Sequence, residues 1–255
     1  MLTSSLQVAR RALLHYFRTP QLVVLGTLQG ALFLLIFRYV FGGDLQGHGT
    51  SYVDFLVPGF VTTSVLFSGQ GAATGVADDL QQGFVDRLRS LPVGRASFLV
   101  GRAIADSIWN MWGLVVCAAV GFAVGFRPQG AVFDDLAALG LCIAYGFAFE
   151  WMFVLIGLLS GTPQAAQGMA FLVFPLTFVS SAYVPVSTMP GWMQAFAQRQ
   201  PVTYMVDSVR ALTLGARAPA LLGHAPAYFT GWSLAWAAGT VALCAPLASW
   251  WYNRS

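Results

Sequence analysis

The chain has 255 residues, of which 57% are hydrophobic and only 9% charged, where an ordinary soluble domain is about one-quarter charged. The formal net charge of +3 is carried by dispersed arginines, which argues against a nucleic-acid-binding protein. Not one residue is lysine, so these residues hold no phosphate-binding loop of the G-x-x-x-x-G-K-[ST] type, and any ATP-driven work must draw on another chain.

Residues 3–18 come first and are amphipathic rather than spanning. Leu6, Ala9, Leu13, Tyr16 and Phe17 share one side of a helical wheel, and Gln7, Arg11, His15 and Arg18 share the other. That pattern, stopped by Pro20, predicts an interfacial helix lying among lipid headgroups. A bilayer core needs roughly 20 apolar residues per helix. Six blocks of that length follow, at Leu22–Phe41, Asp54–Ala77, Ala103–Phe126, Leu136–Ser160, Ala165–Val184 and Tyr228–Trp250. The expected fold is an all-α integral membrane protein of six spans, built as a single domain over residues 1–255. The first block lacks a small-residue cleavage pattern and reads as a retained span. Cys117, Cys142 and Cys244 lie inside apolar blocks with no pairing or metal-ligand spacing.

Arginine distribution sets the expected orientation. Arg10, Arg11, Arg18, Arg87, Arg89, Arg95, Arg102 and Arg254 fall on one side, and Arg38, Arg127, Arg199, Arg210 and Arg217 on the other. The excess places both termini in the cytoplasm.

Two connecting segments stand out. In Asp78–Arg102, Leu80, Phe84, Leu88 and Leu91 recur at i, i+4, i+8 and i+11, giving one apolar stripe. Asp78 and Asp79 at the start, Arg87 and Arg89 near the end, and Pro92 beyond them predict a short helix over 78–91. Such a stripe can fit a groove on another protein or rest on lipid. Between Pro185 and Ala225, a helix is expected to begin near Pro190, and a second, capped by Thr203, to run to Leu214. Both are too short to span, so they are expected to be re-entrant or to lie flat at the outer face. Glycines recur at helix-packing spacing, at Gly26/Gly30, Gly71/Gly75, Gly121/Gly125 and Gly157/Gly161. Pro175 predicts a kink in the fifth span.

The run GFVDRLRSLPVGRASFLVGRAIAD, followed by PVSTMPGWMQAFAQRQPVTYMVDSVRALTLG, closely resembles the type-2 ATP-binding-cassette permeases, and within them the daunorubicin-resistance-like exporters. The resemblance covers nearly the whole chain. It implies a dimer of permease subunits, identical or not, bound to separate nucleotide-binding subunits that hold ATP and Mg. It further implies that 78–91 is the coupling helix docking on the ATPase, with Asp86, Arg87, Arg89 and Pro92 matching the coupling-loop pattern. Residues 190–214 become the extracellular re-entrant helices, where Pro190, Trp192, Pro201 and Arg210 match the later motif. The implied activity is export of a drug, antibiotic or lipid across the cytoplasmic membrane, with no catalytic residue or cofactor in this chain.

Glu150, midway along the fourth span, is the other candidate site. A charged side chain at mid-bilayer costs about 2.5–3.5 kcal/mol on insertion scales, so this acid is expected to be neutral, paired or facing a wet cavity. It leaves a second reading open, a gradient-driven transporter or channel using Glu150 as a proton or ion site. An intramembrane enzyme is disfavoured, because His15, His48 and His224 are scattered outside the spans and no hydrolase or metalloprotease motif is present.

Overall fold

The computed structural model describes residues 32–41, 51–83 and 96–254, and among these it is all helical, without a strand. The interfacial helix at 3–18, the beginning of the first span and most of the coupling segment lie outside the described residues. Helix α1 is the stretch 32–41, which ends as a π-helix at Phe37–Phe41. It is followed by α2 (Tyr52–Gln81), α3 (Ala96–Ala123) and α4 (Val132–Ser160). Then come five short helices and one long one: α5 (Pro163–Phe171), α6 (Phe174–Phe178), α7 (Gly191–Ala197), α8 (Pro201–Leu214) and, after a 3₁₀ turn at Gly215–Arg217, the five-residue α9 (Ala218–Leu222) and then α10 (Pro226–Arg254). Among the described residues four helical stretches are long and apolar enough to cross a bilayer: Tyr52–Gln81, Asp106–Ala123, Val132–Ser160 and Pro226–Tyr252.

Helix α2 is the hub, packing against α3, α4, α5 and α8. Its closest approaches depend on glycine. A Cβ on Gly59 would stand 2.1 Å from the Ala182 carbonyl oxygen, and one on Gly157 of α4 would stand 2.5 Å from the Ala73 carbonyl oxygen. Close backbone contact of this kind replaces the hydrophobic drive that lipid does not supply. Of the glycines paired by spacing, Gly121 and Gly157 do sit in helix contacts, whereas Gly125 and Gly161 end helices instead.

Two expectations are corrected here. First, no new helix starts at Asp78. Asp78 to Gln81 form the last turn of α2, because the alanine-rich stretch before them gives the helix no reason to stop. The chain turns only at Gly83, whose φ of 65° is readily reached by glycine. The two aspartates therefore lie at a helix C-terminus, opposite to the dipole arrangement read from the sequence.

Second, the fifth block is not one continuous helix to Val184. It breaks at Leu172–Val173, and helical structure ends at Phe178. Pro175 has no N–H to give the preceding turn, and its ring crowds the carbonyl four residues back. The break is bridged by tighter bonds, Leu172 N–H to the Met169 carbonyl and Val173 N–H to the Ala170 carbonyl, both 3.1 Å. At its start the chain follows ordinary rules: Thr162 Oγ1 accepts the Ala165 N–H at 3.3 Å, and Pro163 occupies the first turn.

Candidate functional site

Helix α8 carries the centre of the site. Gln200, not Thr203, holds its N-cap position, because Pro201 suits the first helical turn, where an N–H is not needed. At the other end the loop between α3 and α4 holds it, with Gln129 and Gly130 N–H groups donating to the Thr213 carbonyl at 2.8 and 3.1 Å. Eleven of its 14 residues are buried, against α2, α4 and α10. The helix is thus packed into the bundle along most of its length.

Arg210 is fully buried, with 0% of its surface exposed. Its Nη1 donates to Asp207 Oδ1 at 2.7 Å, one helical turn earlier. Nε and Nη2 both donate to the Phe55 carbonyl on α2, at 3.1 and 2.9 Å, and Nη2 also reaches the Ser181 carbonyl at 2.8 Å. The Phe55 ring packs on the guanidinium, centroid 3.7 Å from Cζ. Ser181 Oγ donates to the same Asp207 oxygen at 2.7 Å. A buried ion pair holds only when its hydrogen-bonding capacity is filled. Here the carbonyls of Phe55, Ser181 and, at 3.5 Å, Ala182, together with one carboxylate and one ring, fill it. Burial pushes the Asp207 carboxyl above its ordinary range against the opposing pull of Arg210, and it lowers Arg210 to about 10. The arginine remains a cation at neutral pH.

The irregular stretch after α6 is what this cation holds. Further ties reach the same stretch and the end of α6. The Tyr52 hydroxyl donates to the Tyr183 carbonyl at 3.2 Å, the Tyr183 hydroxyl meets Thr63 Oγ1 at 3.0 Å, and Gln200 Nε2 donates to the Leu176 and Val179 carbonyls at 2.9 and 2.8 Å. On the far side of α8, the Tyr145 hydroxyl of α4 meets Ser208 Oγ at 2.7 Å and donates to Ser233 Oγ of α10 at 2.6 Å.

Two cavities flank these ties. The larger, about 630 Å³, is mixed in character, with Arg199, Tyr204, Asp207, His224 and Tyr228 among its walls. The smaller, about 200 Å³, is an aromatic groove between α1, α2, α3 and α6, walled by Phe60, Phe67, Trp109, Trp112, Phe174 and Tyr183. Two of its rings stack on each other, Phe67 on Phe174 at 4.3 Å between centroids, and Phe37 of α1 stacks on the groove's Tyr183 at 4.8 Å. Ser64, Ser68 and Gln70 add a polar strip to the groove.

The sequence candidates are distributed as follows. Asp78 accepts a bond from Gln82 Nε2 at 2.8 Å in the last turn of α2. Leu80 turns into the bundle, against Val76, Val154, Leu158, Ala248 and Tyr252. Phe84, Asp86, Arg87, Leu88, Arg89, Leu91 and Pro92 lie outside the described residues. Glu150 is fully buried within α4, away from both cavities' walls. Pro190 is the N-cap of α7, on which Trp192 is 76% exposed, and Pro201 opens α8. Among the described residues no group of three His, Cys, Asp or Glu side chains comes together to hold a metal ion. Sequence reasoning missed Tyr52, Ser181, Tyr183 and Gln200, and found Arg210 without its partners. The i,i+3 spacing of Asp207 and Arg210 was the one available signal.

The profile of the family described as "ABC-2 type transporter" matches residues 4–214. The daunorubicin resistance ABC transporter permease protein DrrB1 of Streptomyces coeruleorubidus is 30% identical over 245 residues, which cover 96% of this chain and 84% of that protein. The probable doxorubicin resistance ABC transporter permease protein DrrC of Mycobacterium tuberculosis is 29% identical over 225 residues, 85% of this chain and 76% of that one. The inner membrane transport permease YadH of Escherichia coli K12 is 26% identical over 196 residues, 72% of each.

Proposed function

Because the chain belongs to the ABC-2 type transporter family, we propose that it is the membrane subunit of an exporter whose ATPase is a separate polypeptide, moving a lipophilic or amphipathic solute out across the cytoplasmic membrane. The aromatic groove carries this reading. Stacked rings with a polar strip suit a flat or greasy solute with a few hydrogen-bonding groups, and offer little to a small hydrophilic ion. The relatives named for daunorubicin and doxorubicin resistance favour a drug or antibiotic as cargo, with a lipid as the other member of the same chemical class.

In this proposal the residues before α2 supply one further pass and the broken pair α5–α6 another, giving six in all. Both termini are cytoplasmic. Burial of Arg210 removes it from the loop arginines of the outer side, which widens the charge bias. The segment beyond Gly83, carrying Phe84, Asp86, Arg87, Leu88, Arg89, Leu91 and Pro92, docks on the nucleotide-binding subunit, with Asp78 and Leu80 at its root. That subunit holds ATP and Mg, and two permease chains pair to enclose the pathway.

Reconstitution tests the proposal. Inside-out vesicles holding this chain together with its ATPase subunit are expected to accumulate a lipophilic fluorescent amine when given ATP, and vesicles holding this chain alone to accumulate none. Leu88→Asp is expected to abolish co-purification of the ATPase. Uphill accumulation by the chain alone, driven by a proton gradient and lost in Glu150→Gln, would establish the gradient-driven reading instead.

A further inference from the structure

We propose that Arg210 is a positioning residue for transport: it pins Ser181–Tyr183 as a partition between the aromatic groove and the polar cavity, and passage requires the partition to be released. The inference rests on the exporter reading above, but its geometry is independent of it.

The two cavities share this segment as a wall. Ser181 faces the larger one and Tyr183 the smaller. Helix α2 shows the same division one turn apart, with Phe55 on the polar cavity and Phe60 on the groove. Between them the Ala182 backbone lies against Gly59, leaving no room for a side chain. A single layer of chain therefore separates an aromatic site from a polar one.

The layer is held in an unusual way. Residues 181–183 are not helical, so their carbonyls are not taken up by a helical ladder. Each is bound by a side chain from another helix: Ser181 O and Ala182 O by Arg210 Nη2, at 2.8 and 3.5 Å, and Tyr183 O by the Tyr52 hydroxyl at 3.2 Å. Side-chain ties can be given up without unwinding a helix. The guanidinium also joins α2 through Phe55 O and α8 through Asp207, so one movement of α8 against α2 would loosen the layer on both sides. Because a half-paired buried cation is costly, the clamp favours two states, made or released, over intermediate positions. Glycine at position 59 then lets the released segment slide along a smooth helix surface.

Cys117 supplies a native reporter, since its thiol lines the groove beyond the partition. In a Cys142→Ala/Cys244→Ala background, with the assembled complex in sealed vesicles, the rate of Cys117 modification is measured with a charged, membrane-impermeant thiol reagent. The reagent is added on the side where the polar cavity opens. That side is fixed beforehand with Thr188→Cys in a chain free of other cysteines, because Thr188 is an exposed wall residue of the polar cavity. Without ATP, modification of Cys117 is expected to be slow. Arg210→Lys keeps the charge but cannot reach all of the carbonyls at once, and is expected to raise the rate about tenfold, as for loss of one charge-assisted hydrogen bond. Tyr52→Phe removes only a hydroxyl and is expected to raise it about threefold. If Arg210→Lys does not fold, Tyr52→Phe decides alone. An unchanged Cys117 rate in the folded variants, with only a lower thermal midpoint, would make the clamp purely structural and overturn the proposal. A failure of the exporter reading shows separately, as absent ATP-driven uptake in the same vesicles while the thiol rates still respond.

Discussion

Helices α2 and α10 are both long, both apolar, and each carries an internal proline, Pro58 in one and Pro246 in the other. Their positions differ sharply. In its most apolar stretch α2 has 83% of its residues buried within the chain, and α10 has 22%. Hydropathy cannot separate them, since lipid and protein interior are equally apolar surroundings. What separates them is how near a neighbour's backbone comes. On α2, Gly59 meets the Ala182 backbone of the irregular stretch and Gly69 the Phe153 ring of α4, both at distances an added Cβ would not permit, whereas Gly231 and Gly239 of α10 have open space where a Cβ would stand. A hub in a membrane bundle is thus marked by small residues under pressure and not by apolar character.

The strongest way to break the hub is to remove the cation tying α8 to it. Arg210→Ala deletes the guanidinium donors to Phe55 O and Ser181 O and leaves the Asp207 carboxylate buried without its cationic partner. An uncompensated buried charge costs about 3–5 kcal/mol, so thermal unfolding of the detergent-solubilised protein is expected to fall to the point of poor recovery. Double substitution of Arg210 and Asp207 by Met and Leu is expected to recover part of that loss. Next in size is Gly59→Ala. The added methyl would meet a backbone oxygen at 2.1 Å, which no rotamer change can relieve, and a destabilisation of about 3 kcal/mol is expected.

A smaller effect sharpens the comparison from the α10 side. Tyr145→Phe removes the hydroxyl that links α4 to Ser208 of α8 and Ser233 of α10, leaving hydrophobic contacts in place. Interhelical hydrogen bonds in membrane proteins contribute about 0.6–2 kcal/mol, and an effect near 1 kcal/mol in the same thermal assay is expected. A loss as large as that of Arg210→Ala would mean that α10 is as central as α2.

Much of this architecture was legible in the sequence, for reasons the residues make plain. The cores of α2, α3, α4 and α10 follow from apolar length, and α7 begins at Pro190 because proline suits a helix start. Pro175 announced the break in the fifth block. The ends were less legible: Tyr52, Val53 and Asp78 to Gln81 extend α2 beyond its apolar window, because helix propensity continues where hydropathy drops. The site was hidden more deeply. Arg210 and Asp207 look from spacing alone like charges arranged along a helix dipole. Their meaning depends on carbonyls at Phe55, Ser181 and Ala182, and a backbone oxygen leaves no trace in amino-acid identity. Leu80 shows the converse, a residue in a convincing stripe whose partner turned out to be this chain's own α4 and α10.

The mildest substitution is the most diagnostic for the contrast between the two helices. Gly239 lies within α10 with nothing within 4 Å of the place its Cβ would take. Glycine inside a helix is less favourable than alanine by roughly 0.5–1 kcal/mol, because the unfolded backbone has more freedom to lose. Gly239→Ala is therefore expected to leave the thermal midpoint unchanged or raise it slightly, although the same substitution at Gly59 is severe. A bilayer complicates only one term: if a second chain packs on this face in the proposed dimer, the methyl would obstruct it. In that case the monomer's thermal midpoint holds steady while dimer recovery, read by size-exclusion chromatography in detergent, falls. Either result assigns the face of α10 to lipid or to a partner, which the identical chemistry of the two surroundings conceals in the sequence.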